Sequence, residues 1–180
     1  MGKYIDNKLF FEKVVEHVNK CKEKEAAGEE HPIIPDFIGK CFIDIATNLA
    51  SRRNFVGYKY KEDMISDALF DMTRYVSKFN SEKTNNAFSY FTQIAFFAFL
   101  RRIAKEKKHL YTKYKAINNS EIFGTLSTSL SEEDNMLIDD IGYSEGAREN
   151  MNSFVQDYED KMKKDKEKIK EDKEDKEELE

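Results

Sequence analysis

Six aromatic residues, Phe88, Tyr90, Phe91, Phe96, Phe97 and Phe99, fall within twelve consecutive positions, with Ile94 and Leu100 among them. A helix turns about 100° per residue, so these side chains cannot share one face. A helix that is apolar all round must be buried on every side, or must offer part of its circumference to another molecule. Directly after it come Arg101, Arg102, Lys105, Lys107, Lys108, Lys113 and Lys115, opposed only by Glu106.

Charge is segregated along the chain. The 180 residues carry a net −5, divided as −2 over residues 1–36, +8 over 37–117 and −11 over 118–180. A basic middle thus joins an acidic tail, which separates this chain from a uniformly acidic solvating sequence.

The hydrophobic periodicity is helical throughout. Ile5, Leu9, Phe10, Val14, Val18 and Cys21 recur at spacings of three and four, predicting an amphipathic helix over 4–25. Gly28, Pro32 and Pro35 end it. Asp36 is the expected N-cap of a second helix whose inner stripe is Ile38, Cys41, Phe42, Ile45, Ala46 and Leu49. A loop at 54–60 leads to a third helix over 62–79, with Ile65, Leu69, Met72, Val76 and Phe79 inward. After a polar break, Asn86 is expected to cap a fourth helix running to Ala116. No segment sustains the period-2 alternation of a half-buried strand, so the expected class is all-α.

The expected organisation is an N-terminal helix and Pro-containing linker at 1–35, a packed helical domain at 36–117, and an acidic linker and Lys/Glu-rich tail at 118–180. From Lys161 onward only Met162, Ile169 and Leu179 are apolar, a composition that fits a solvated helix or a disordered tail.

Several classes find no support. No apolar run reaches the 18–20 residues of a membrane span, and the opening Met1-Gly2-Lys3-Tyr4 lacks a secretory signal's apolar stretch. Cys21 and Cys41 have no metal-ligand spacing and read as free thiols. No glycine-rich phosphate loop or His/Cys cluster is present, which suggests no enzyme without excluding one; the expectation, with the resemblance given below, is a non-enzymatic protein with no catalytic residue, cofactor or metal.

Aromatics beside a basic run have one direct physical use. Cations neutralise phosphates, giving salt-dependent and largely sequence-blind affinity, while exposed rings stack on unpaired bases. The same pattern equally describes a buried aromatic core with a solvated basic end. On the third helix Asp63, Asp67 and Asp71 recur every four residues, opposite the apolar stripe. Three carboxylates on one helix make a poor divalent-metal cage, which leaves a solvated face or a docking surface for a basic protein.

The run DMISDALFDMTRYVSKFN, Asp63 to Asn80, resembles the helix of region 2 of bacterial sigma factors that grips the clamp helices of RNA polymerase. AFSYFTQIAFFAFLRRIAKEKK, Ala87 to Lys108, falls where that family has its promoter-melting and −10-reading helix. With LASRRNFVGYKYKEDMISD upstream, the chain is most similar to the small late-transcription sigma factors of T-even-type bacteriophages. The resemblance covers roughly Phe37 to Tyr114.

The resemblance implies a set of roles. Asp63, Asp67 and Asp71 would bind the clamp of a bacterial core RNA polymerase. Phe91 falls at the aromatic that stacks on a base flipped from the melted non-template strand of an AT-rich −10-like element, with Phe88, Tyr90 and Gln93 around the pocket. Arg101, Arg102 and Lys105 would hold backbone phosphates or the upstream edge of the element, and Lys108 would bind DNA beside them. Ile94 and Ala95 stand where housekeeping members carry a tryptophan pair, so the upstream wedge is altered. No second helix-turn-helix follows, which predicts that a −35 element is not read.

The phage late factors end in short hydrophobic segments that bind the polymerase flap and the replication sliding clamp, whereas this chain ends EDKEDKEELE. A sliding clamp or coactivator would then meet Phe154, Val155, Tyr158 and Met162, or docking differs. The implied location is the cytoplasm of an infected bacterial host. Two other classes fit the residues: a small helical interaction protein that buries its aromatic helix by self-association, and a sequence-independent single-stranded DNA binder.

Overall fold

The structure, a computed structural model, describes residues 5–119 and 145–177. The protein is all-α, and among the described residues there is no strand. Among the described residues five α-helices follow in order: α1 (Asn7–Ala26), α2 (Asp36–Ala50), α3 (Lys61–Tyr75), α4 (Ala87–Asn119) and α5 (Glu145–Glu177), with a 3-10 turn at Val76–Lys78 after α3. The chain forms two compact units, Met1–Lys105 and Glu106–Glu180.

Local chemistry explains the helix ends. Asp6 caps α1 by accepting from the backbone amides of Lys8 and Leu9 at 3.0 and 3.2 Å. The same helix ends at Gly28, whose φ of 72° is left-handed. Glu29 N–H then reaches back to Lys24 C=O and Gly28 N–H to Glu25 C=O, satisfying carbonyls of the last turn. Asn86 caps α4 as expected, accepting from Ser89 N–H at 2.9 Å. Asp36 does not cap α2. Extended Pro35 holds the cap position and accepts from Gly39 N–H, so Asp36 becomes the first helical residue. There its charge still faces the positive end of the helix dipole.

α1 belongs to the core of the first unit, although the sequence places the packed domain at 36–117. Phe10, Val14 and Val18 are buried with Ile38, Phe42 and Ile45 of α2. The inward stripe of α3 is Met64, Ala68 and Met72: Met72 is inward as expected, whereas Met64 and Ala68 take the places expected of Ile65 and Leu69, which lie half-buried beside them. Val76 continues that spacing of four, and after the 3-10 turn Phe79 is buried as well.

In the second unit the end of α4 pairs antiparallel with α5. The Tyr111 and Tyr158 rings stack with centroids 4.6 Å apart, and Tyr114 meets Phe154 edge-on at 5.6 Å. Lys115 Nζ lies 2.7 Å from Glu159 Oε1, to which Tyr111 OH also donates at 2.9 Å. Lys115, part of the basic run in the sequence, is thus engaged within its own chain. Phe154, Val155 and Tyr158 are half-buried while Met162 is exposed. The segment from Ser120 to Ser144, including its Ser/Thr-rich and acidic stretch, lies outside the described residues.

Candidate nucleic-acid and partner interface

The buried residues of α4 in the first unit are Ala87, Phe91, Ala95, Ala98 and Phe99. Their spacing of four, four, three and one is a single helical face, and the alanines along it let the backbone approach its neighbours closely. This choice of face decides which aromatics are core and which are surface.

Phe91 is core. Its ring is enclosed by Phe10, Phe42 and Phe79 at centroid distances of 5.8, 4.7 and 6.1 Å, and its side chain has no solvent exposure. The expectation that Phe91 presents a face to a flipped base is therefore corrected: α1 and α2 supply the partners that enclose it. Tyr90 packs edge-on against Phe79 and Phe91, and its partial burial pushes the phenol above its ordinary value. Phe88 is half-buried and Gln93 is exposed.

The outward face carries rings that the site reading passed over. Phe97 is 48% exposed, Phe96 38% and Leu100 42%. Phe96 leans on Phe55 at 5.8 Å and on Phe97 at 6.0 Å. Gln93, Phe97, Arg101 and Lys105 all lie exposed at intervals of four residues, so they climb α4 as one ridge at about 6 Å per step. The signal in the sequence was the spacing of Ala87, Ala95 and Ala98, which sets the buried face where the all-round aromatics cannot.

Beside this ridge α3 and α4 form a shallow groove lined by Asp67, Phe70, Asp71, Ala98, Arg101, Arg102 and Lys105. The small Ala98 side chain leaves room for charged groups above it. Arg102 donates Nε to Asp67 Oδ2 at 2.7 Å and Nη2 to Asp67 Oδ1 at 2.8 Å, a two-pronged grip. Arg101 pairs with Asp71. Phe70 stands on the rim, 66% exposed. Asp63 is exposed one turn before Asp67, and Lys105 is exposed one turn after Arg101. Lys108 is exposed on α4 in the second unit.

Of the predicted site residues, Asp67, Asp71, Arg101, Arg102 and Lys105 are thus brought together in one groove. The acids and bases read separately from the sequence are neighbours, joined by ion pairs between residues 30 and 35 positions apart. Among the described residues no cluster of three His, Cys, Asp or Glu side chains is placed to hold a metal ion, and none of their helices is long and apolar enough to cross a membrane. In comparison with known proteins, no family model matches the chain and no curated protein matches it.

Proposed function

We propose that this chain is a promoter-recognition factor of the sigma type, acting in phage late transcription in the cytoplasm of an infected bacterium. In this reading Asp63, Asp67 and Asp71 on α3 meet the clamp helices of the core RNA polymerase. Arg101, Arg102, Lys105 and Lys108 on α4 hold the DNA backbone, and the melted strand passes along Tyr90, Gln93 and the exposed Phe97, half a turn away from Phe88. The reading rests on the sequence resemblance over Phe37 to Tyr114. The observation that supports it best is the common groove, where an acidic row suited to a basic protein adjoins a basic row suited to phosphates. Its role is recognition without chemistry of its own.

The test is transcription by purified bacterial core polymerase on an AT-rich template, with and without the protein, mapping RNA 5′ ends. Discrete starts that need the protein and share a short motif about ten bases upstream are expected. Absence of both new starts and co-migration with core overturns the reading. Tight binding of any single strand without core would then point to a sequence-independent binder.

A further inference from the structure

Asp67 and Asp71 are the acids assigned to the polymerase, and Arg101 and Arg102 are cations assigned to DNA, yet here Arg102 grips Asp67 and Arg101 pairs with Asp71. The Arg102–Asp67 grip uses both carboxylate oxygens, and its side chains are only 18% and 38% exposed, so water screens it less than an open surface pair. Asp71 is 15% exposed beneath the more open Arg101. A guanidinium facing a carboxylate offers a phosphate almost no net charge, and its best-placed N–H groups are already donated. Two of the cations nearest the exposed Phe97 are therefore muted in the free protein.

We infer that the two pairs form an electrostatic latch between partner docking and nucleic-acid binding. A partner that brings its own cations to α3 takes over Asp67 and Asp71, and Arg101 and Arg102 turn to the phosphates of single-stranded DNA. The inference rests on the reading above, in which α3 meets a protein and α4 meets DNA. Linkage makes the effect reciprocal: DNA already holding the arginines strengthens docking by the same factor. Sequence-blind binding by the free protein is suppressed, and the full basic surface is exposed only in the complex.

The experiment uses the full chain without polymerase and a fluorescent single-stranded DNA oligonucleotide, reading anisotropy across a salt series. Asp67→Asn with Asp71→Asn is expected to tighten binding about five-fold or more. The slope of log affinity against log salt should steepen by about 1.4, as two newly available cations require on a single strand. Adding Arg101→Gln and Arg102→Gln to that variant should erase both changes. Glu62→Gln with Glu82→Gln removes the same charge elsewhere and should gain much less.

Equal gain from that control, or no gain from the Asp67/Asp71 variant, overturns the latch. If the Asp67/Asp71 variant loses its helical circular dichroism, the fourfold variant, which replaces both neutral pairs with neutral side chains and so leaves the local charge unchanged, decides. Muted arginines leave its oligonucleotide affinity near wild type, and a marked loss rejects the idea. Co-migration of the wild-type chain with core polymerase is measured separately. Its failure sinks the sigma reading and leaves the oligonucleotide result intact.

Discussion

Phe91 lies with its ring centroid 4.7 Å from that of Phe42, the two tilted by 48°, and neither side chain meets appreciable solvent. The contact joins α4 to α2 at the centre of the first unit. Truncation there leaves a cavity that Phe10 and Phe79 border. Phe91→Ala should cost about 3–5 kcal/mol of unfolding free energy in urea titration, and Phe91→Leu distinctly less. A Phe91→Ala protein as stable as wild type would remove Phe91 from the core.

Phe97→Ala tests the other side of the same helix. Its ring is half exposed, so stability should change by about 1 kcal/mol or less. Affinity for a single-stranded oligonucleotide, measured with the Asp67/Asp71 variant to unmask the site, should fall as the loss of about 1–3 kcal/mol of stacking requires. An unchanged affinity takes Phe97 out of the strand's path.

His17 is 3% exposed on α1, with its Nε2 3.5 Å from Cys21 Sγ. Burial first, then the positive field of Lys20 and His31, holds its imidazole below the ordinary 6.5. The folded state therefore binds that proton less readily than the unfolded chain. The stability tied to neutral His17 is complete above pH 6.5, declines as pH falls from there toward the folded value, and is level below it. The slope in that window cannot exceed about 1.4 kcal/mol per pH unit for one proton. Thermal melts from pH 7.5 to 5 should show the decline in wild type and a flatter profile in His17→Leu; parallel profiles would mean that another group titrates.

Two glycines should respond to alanine with opposite signs. Gly28 and Gly39 both have open space where a Cβ would stand, so only backbone conformation distinguishes them. Gly28 is left-handed and should cost about 1 kcal/mol on replacement by Ala. Gly39 lies inside α2 and should yield about 0.5–1 kcal/mol of stabilisation. Chemical denaturation of the two single variants reads both; like signs would contradict the assigned backbone.

In the second unit, the hydrogen bond from Lys115, followed by that from Tyr111, holds the Glu159 carboxyl below its ordinary 4.5. The pairing of α4 with α5 therefore keeps this contribution above pH 4.5 and loses it as pH falls through the lower folded value. The near-UV circular dichroism of the stacked Tyr111 and Tyr158 should weaken across that range. Lys115→Met should lose this step, and the same acid-dependent change in both proteins would assign it elsewhere.

Much of this architecture was legible in the residues. Asn86 at the start of α4 and Gly28 at the end of α1 act where their side-chain chemistry and backbone freedom require. Spacing alone predicted the buried Phe10, Val14 and Val18, but the weight of basic and aromatic residues further along drew the domain boundary to 36 and left their destination open. α4 resisted because rings all round the helix erase the contrast on which periodicity depends. The groove resisted for another reason: no local rule connects Asp67 to Arg102, 35 residues away on a different helix. The α4–α5 pairing in the second unit depends on scattered rings such as Tyr111 and Tyr158, amid too much charge for an apolar stripe to stand out.

The alanine seam of α4 also channels how such a chain can diverge. Ala95 and Ala98 are enclosed, so a bulky side chain at either would overpack the unit at a cost of about 1–3 kcal/mol or more. Gln93, Phe97 and Leu100 stand outside the seam, where exchange should have little effect on folding. Substitutions are thereby sorted: those that enlarge a seam residue disturb the fold, and those outside the seam alter only what the helix presents to solvent. The outer face can change its chemistry while the helix beneath it keeps its place.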